Sequence, residues 1–292
     1  ANMYAGKPLC CLVNPVLGRE SEGLPKAEKA KKVYVIGGGV AGMCAAFTAK
    51  RRGHDVTLFE ATDKLGGNMR LAAYPPGKGD ITNMIRSYIH RCQKDGVKIV
   101  MNCEVTPELI KEEKPDSVII ATGSKTLILP IEGIDNPAII HGSDLLDGKR
   151  AAGKKVLVVG GGMVGCETAA FLGEQEHDVT VIEFRDTVGA DVIHEHRVYL
   201  MKDFEDYGIK EITGAKVCKF YEDGVEYETA DGVRHESRGY DSVILSMGFR
   251  NYNPLEEKIK DLVPETHVIG DAIRARRALD ATKEAYDLAS QI

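Results

Sequence analysis

One glycine-rich pattern is written twice in this chain, and no other feature of the sequence limits the fold so tightly. The first copy reads Lys31-Lys-Val-Tyr-Val-Ile-Gly-Gly-Gly-Val-Ala-Gly42 and runs on to His54-Asp-Val-Thr-Leu-Phe-Glu60. The second reads Lys154-Lys-Val-Leu-Val-Val-Gly-Gly-Gly-Met-Val-Gly165 and runs on to His177-Asp-Val-Thr-Val-Ile-Glu183. Nearly half of the aligned positions are identical, and the last glycine stands at the same distance from the glutamate in both. Each copy is an apolar run, a Gly-x-Gly-x-x-Gly turn, a stretch rich in small residues and a second apolar run that ends in Glu.

A lone Gly-x-Gly-x-x-Gly is weak, but a strand before it, a helix after it and an acid closing the next strand supply the context of a dinucleotide fingerprint. Gly37 permits the tight turn, Gly39 lets the backbone come close to a diphosphate, and Gly42 lets helix and strand pack together. The helix N-terminus offers free amides and partial positive charge. Glu60 is suited to accept both hydroxyls of an adenosine ribose. Gly160, Gly162, Gly165 and Glu183 fill the same places in the second copy. The structural alternative is two turns used for packing alone. Two fingerprints in one chain suggest two dinucleotides facing each other, the arrangement that passes hydride from a nicotinamide to a flavin.

The duplication reaches beyond the turns. Asp116-Ser-Val-Ile-Ile-Ala-Thr-Gly123 is echoed by Asp241-Ser-Val-Ile-Leu-Ser-Met-Gly248, so whole domains are repeated. The expected fold class is α/β: two Rossmann-like dinucleotide-binding domains with parallel sheets, the second inserted in the first, plus a small β-meander. The expected bounds are an arm or linker over 1–30, a first domain over 31–148 and 251–292, and an inserted domain over 149–250. Ile81 to Asp95 carries an amphipathic helical stripe. Residues 215–236 alternate between Asp223-Gly224 and Asp231-Gly232 turns and form the meander. The last helix runs from about Leu279 to Ile292.

Composition excludes several classes. A net charge of −6 with interspersed signs gives no basic patch for nucleic acid. No apolar run approaches the roughly 18 residues of a membrane span, and the first residues, with Lys7, Pro8, Pro15 and Arg19, lack the core of a signal peptide. Seven irregularly spaced cysteines and no Cys-x-x-Cys argue against a disulfide framework and fit a reducing, cytoplasmic setting. The start at Ala1 fits either removal of an initiator Met or a cut from a longer protein, and a homo-oligomer is compatible with the sequence.

The two copies are not equivalent. Leu65-Gly66-Gly67 follows Glu60, and the chain returns late through Gly270-Asp271, where a carboxylate at a strand end could hold a ribityl hydroxyl or serve as a helix N-cap or turn residue. The second copy lacks such partners, so the first is expected to hold FAD and the second NAD. Glu183 would repel a 2′-phosphate, which favours NADH over NADPH, although Arg185 stands close by.

These features together, with the Ala-Thr-Gly123 segment, resemble the two-dinucleotide flavoproteins of the pyridine nucleotide–disulfide oxidoreductase family. Thioredoxin reductases in that family carry a Cys-x-x-Cys that is missing here. Cys11-Leu-Val-Asn-Pro15, Gly18-Arg-Glu20 and Ala272-Ile-Arg-Ala-Arg-Arg-Ala-Leu-Asp-Ala-Thr further resemble the C-terminal half of NADH:flavin oxidoreductases such as 2,4-dienoyl-CoA reductase, 2-enoate reductase and trimethylamine dehydrogenase. That resemblance implies an N-terminal TIM-barrel partner domain with FMN and an iron–sulfur cluster, of which Cys11 matches the last ligand; alone, Cys11 is a free thiol. It also implies Thr122, Gly123 and Gly248 at cofactor surfaces and the amides near Leu279 and Asp280 at the flavin ring, though an ordinary helix start serves equally well there. In related flavoproteins an acid at the place of Glu167 lies near the nicotinamide; otherwise Glu167 complements its helix dipole from the first turn. His194 and His196 read as surface residues, and no catalytic side chain is assigned. The implied activity is FAD-dependent NADH oxidation with electrons passed onward. The rivals are a stand-alone diaphorase, a ferredoxin or thioredoxin reductase relative, and a non-catalytic module that binds ADP.

Overall fold

The computed structural model describes residue 6 and residues 9–292; the rest of the N-terminal arm lies outside the described residues. Among those described, the chain divides into two compact units. One comprises Thr126–Phe249 together with Tyr74–Gly79, and the other holds the described residues through Ala73, Asp80–Lys125 and Arg250–Ile292.

The unit that carries the first glycine turn is built on a five-stranded parallel sheet. Its spatial order is Glu265–Val268, Ser117–Ile120, Lys32–Ile36, Asp55–Phe59, Lys98–Val100. The central strands are apolar on both faces because helices cover both sides. Val33, Val35, Val56, Leu58 and Ile119 share one core with the helices Val40–Arg52, Asp80–Lys94 and Ala278–Ala289. Tyr34, Ile36, Val118 and Ile120 point to the other face and pack on Ile110, Leu255 and Ile259.

The second unit repeats this plan in the order Ile140–His141, Ser242–Leu245, Lys155–Val159, Asp178–Ile182, Lys210–Ile212. Even the register is kept: Val33 lies opposite Ser117 and Val156 opposite Ser242, while Lys32 faces Asp55 and Lys155 faces Asp178. The flanking acids are duplicated too, since Asp116 accepts the Lys32 amide and Asp241 the Lys155 amide, both at 2.7 Å. Lys216–Tyr221, Gly224–Glu228 and Arg234–Ser237 form the antiparallel meander. The two crossing segments, Ser124–Thr126 and Phe249–Asn251, pair as a two-stranded sheet.

Three local features differ from the sequence reading. Helix Pro107–Glu113 was not expected; Thr106 caps it by accepting the Leu109 amide at 3.3 Å, and Pro107 opens it. The described arm is docked: Leu12 and Val13 rest on the first core, the Tyr88 hydroxyl donates to the Leu12 carbonyl at 2.8 Å, and Arg91 donates to the Val13 carbonyl at 2.9 Å. Two adjacent apolar residues show no period, so the sequence marks no element there. Lys202 to Tyr207 reads in sequence as part of a helix, and that helix already starts at His194, about two turns earlier.

Candidate functional site

Each glycine turn connects a buried strand to a buried helix, and the packing explains two of its three fingerprint glycines. Gly37 has φ of +110°, and a Cβ there would lie 2.3 Å from the Ala121 carbonyl oxygen. A Cβ on Gly42 would lie 1.9 Å from the Gly37 carbonyl oxygen. Gly160 and Gly165 repeat both crowdings, at 2.4 Å from the Ser246 oxygen and 1.8 Å from the Gly160 oxygen.

Gly39 is different. A Cβ there would meet no protein atom within 4 Å, and its φ of −69° suits any residue. It caps helix Val40–Arg52, which has no side-chain cap and no acid in its first turn, while Lys50, Arg51 and Arg52 close its last. Among the described residues nothing demands glycine at this place. The open space before uncapped amides is what a diphosphate fills, so the residues present fit the dinucleotide expected of them.

Both glutamates brace their turns. Glu60 accepts the Gly38 amide at 2.8 Å through Oε2 and the Thr62 amide and hydroxyl at 2.8 and 2.7 Å through Oε1. Glu183 accepts the Gly161 amide at 2.5 Å and the Arg185 amide at 2.9 Å. The Leu65-Gly66-Gly67 segment runs beside the first turn: the Gly66 amide donates to the Gly38 carbonyl at 2.8 Å, and Gly67 opens the 3-10 turn Gly67–Ala73. The second cradle has a feature with no counterpart in the first. Asp191 Oδ1 accepts the Met163 amide at 2.9 Å at the start of helix Met163–Glu174.

Most of the remaining expected residues lie near the first sheet's strand ends, whereas Gly248 follows a strand of the second sheet. The Thr122 hydroxyl donates to the Tyr252 carbonyl, and the Gly123 carbonyl accepts the Tyr252 amide at 2.9 Å. In the second unit the Gly248 carbonyl accepts the Leu127 amide at 2.8 Å. The Gly270 amide donates to Glu284 at 3.0 Å. Asp271 lies within the 3-10 turn Gly270–Ala272, capped by Ile269, and is not itself a cap. It accepts the Ser124 hydroxyl at 3.0 Å and the Arg276 amide at 3.1 Å. Asn68 in turn donates to the Ser124 hydroxyl at 3.2 Å. Sequence reasoning missed Asn68 and Ser124, although each directly follows a marked glycine. Leu279 is the second residue of helix Ala278–Ala289, which has no side-chain cap.

Glu167 departs from the expectation. The helix opens at Met163, which puts Glu167 beyond the first turn and away from the free amides. Glu167 is 5 % exposed, and its carboxylate pairs with Lys78, with His196 Nε2 at 3.5 Å. Lys78 went unnoticed because it comes from a distant loop. His194 is exposed as expected, whereas His196 is half-buried with its Nε2 enclosed.

The interior thiols are inert. Burial pushes Cys44, Cys92 and Cys166 up to about 12, so none is a thiolate near neutral pH. The Cys11 sulfur accepts the Asn14 amide at 3.4 Å. Among the described residues no group of three or more His, Cys, Asp or Glu could hold a metal, and no helix is long and apolar enough to cross a membrane.

Known proteins resemble this chain in sequence and in fold. Residues 31–269 match the model of the pyridine nucleotide-disulphide oxidoreductase family. The chain is 35 % identical over 286 residues to a cinnamate reductase of Clostridium sporogenes, which covers 97 % of this chain and 42 % of that protein. It is 36 % identical to an NADH oxidase of Thermoanaerobacter brockii, with 97 % and 44 % covered. A solved 2-naphthoyl-CoA reductase complex superposes with a TM-score of 0.93 at 33 % identity, over 99 % of this chain and 44 % of that one. The chain thus spans less than half the length of these three relatives.

Proposed function

The chain belongs to the pyridine nucleotide-disulphide oxidoreductase family, a membership that implies binding of FAD and NAD(P)H, and from that premise we propose that it is the NADH-oxidising, FAD-dependent module of a longer reductase. The observation that carries the reading is the open space before Gly39, at a turn whose other fingerprint glycines are already explained by packing.

Gly37, Gly39 and Gly42 present the helix amides to the FAD diphosphate, and Glu60 takes the adenosine ribose. Gly67, Thr122, Gly123, Gly270, Asp271 and Leu279 line the rest of that cofactor. Asp271 is oriented by Ser124 and the Arg276 amide to receive a ribityl hydroxyl. Gly160, Gly162 and Gly165 hold the NADH diphosphate, Glu183 its ribose, and Gly248 lines the same cofactor. On this reading the unit of the first glycine turn is the FAD domain and that of the second the NAD domain, with the first junction near Lys125–Thr126 in place of the expected 148/149, because Ile140–His141 pairs with the second sheet. The carboxylate of Glu183 disfavours a 2′-phosphate and so selects NADH over NADPH.

When bound, the cofactors supply the redox chemistry, hydride leaving the nicotinamide for the flavin. The protein binds and orients them and excludes water; no side-chain acid or base is required. Names among the relatives, a cinnamate reductase and an NADH oxidase, support a reductase fed by NADH. Their greater length supports a partner domain, for which an N-terminal TIM barrel with FMN and an iron–sulfur cluster is proposed as the electron acceptor, in the cytoplasm. The missing Cys-x-x-Cys speaks against thioredoxin reduction.

Anaerobic titration of the purified chain with NADH tests the proposal. Bleaching of a flavin absorption band, with FAD identified by mass spectrometry after denaturation, is the expected result. Colourless protein that releases ADP would instead establish a binding module.

A further inference from the structure

The two cradles share their strands, turns and glutamates but differ in what faces the helix start. In the first, among the described residues, no side chain caps the helix and no protein atom lies within 4 Å of a Cβ built on Gly39. In the second, the Asp191 carboxylate accepts the Met163 amide, and a Cβ on Gly162 would lie 3.4 Å from its Oδ2. Met163 is the first residue of its helix, so this carboxylate stands at the donors a diphosphate needs.

The loop that carries Asp191 is fixed. Val188 is fully buried and Val192 nearly so, the Gly189 amide donates to the Gly161 carbonyl at 2.7 Å, and Arg197 donates to the Thr187 hydroxyl at 2.9 Å and the Val188 carbonyl at 3.1 Å. Asp191 itself is exposed. Its carboxylate can therefore leave by rotation of the side chain while the backbone stays in place.

We propose that Asp191 is a resident counter-anion of the second cradle, one that satisfies the helix start until a dinucleotide diphosphate displaces it, and that it thereby sets the affinity of that site. The inference rests on the reading of the second copy as a nicotinamide dinucleotide site. One amide cannot serve two anions at full strength, and a carboxylate left nearby repels the incoming diphosphate. The expected effect is about two- to fivefold in dissociation constant, the size of a charge interaction at an exposed helix terminus.

The test is calorimetric titration of the FAD-loaded chain with NAD+, which binds without reducing the flavin, in the wild type, Asp191→Asn and Asp191→Ala. Asparagine keeps an acceptor for the Met163 amide and removes only the charge. Both variants are expected to bind NAD+ about two- to fivefold more tightly, with FAD content unchanged, and inorganic pyrophosphate is expected to compete more strongly against them by a similar factor. A cap with a purely structural role, or one that touches the bound dinucleotide productively, gives unchanged or weaker binding and overturns the inference alone. Failure of the wild type and both variants to bind NAD+ removes the site assignment as well.

Discussion

Gly39 and Gly42 are three residues apart and are glycine for different reasons, which makes them separable by experiment. Gly42→Ala drives a methyl group against backbone, and its cost belongs with overpacked cores, about 1–3 kcal/mol or more. Gly39→Val places its Cβ where no described protein atom lies within 4 Å. It is expected to leave thermal melting within a few degrees of wild type while flavin retention falls at least about tenfold, the scale of one charge-assisted hydrogen bond. Yellow Gly39→Val protein would remove the first cradle from the FAD site. Glu183 offers a second contrast, because it both braces Gly161 and opposes a 2′-phosphate. Glu183→Ala is expected to narrow the NADH-over-NADPH preference in kcat/KM by about tenfold, mainly through improved use of NADPH. A ratio that stays put under that substitution would take Glu183 out of ribose recognition.

At the scale of elements, His54 ties the start of one sheet to the end of the chain. The Lys31 amide donates to its Nδ1 at 3.1 Å, which leaves the proton on Nε2, 2.9 Å from the Ile292 carbonyl oxygen. Burial holds this imidazole below its usual pKa. The unfolded chain takes up the proton near pH 6.5 and the folded chain only at lower pH, so stability is lost as pH falls through the unfolded value. Melting temperature is therefore expected to drop more steeply between about pH 7.5 and about pH 5.5 in the wild type than in His54→Gln; parallel slopes would refute this role. His54 belongs to a pattern that could be read in sequence, because strand, turn, helix and strand follow one another locally. The helix Asp80–Lys94 was legible for the same reason, with Met84, Ile85, Tyr88 and Cys92 buried at helical spacing. Helix Pro107–Glu113 was not, since one buried residue, Ile110, sets no period, although Thr106-Pro107 is a start signal. Thr106→Ala is expected to cost about 1 kcal/mol in urea unfolding. Lys78 beside Glu167 and Asp191 at Met163 were illegible for another reason: each meets its partner through loops whose paths depend on packing far along the chain.

At the scale of the molecule, the repeat has produced two units, each with its own sheet and its own buried apolar clusters. Ligand stabilisation acts on whatever folds together with the bound site. If FAD belongs to the unit of the first turn and the nicotinamide dinucleotide to the unit of the second, each ligand protects a different part of the chain. At a hundred times its dissociation constant a ligand adds about 2.7 kcal/mol, which for units of this size is roughly 5–10 °C in melting temperature. Hydrogen exchange followed by peptide mass spectrometry would assign the protection. FAD should slow exchange along Lys32–Ile36 and Val40–Arg52, and NAD+ should slow it along Lys155–Val159 and Met163–Glu174. Gly39→Val should abolish only the first effect and Gly162→Val only the second. Protection of a single unit by both ligands, or of neither, would mean that the duplicated turns do not divide the cofactors between them, and the proposed direction of electron flow would fall with that division.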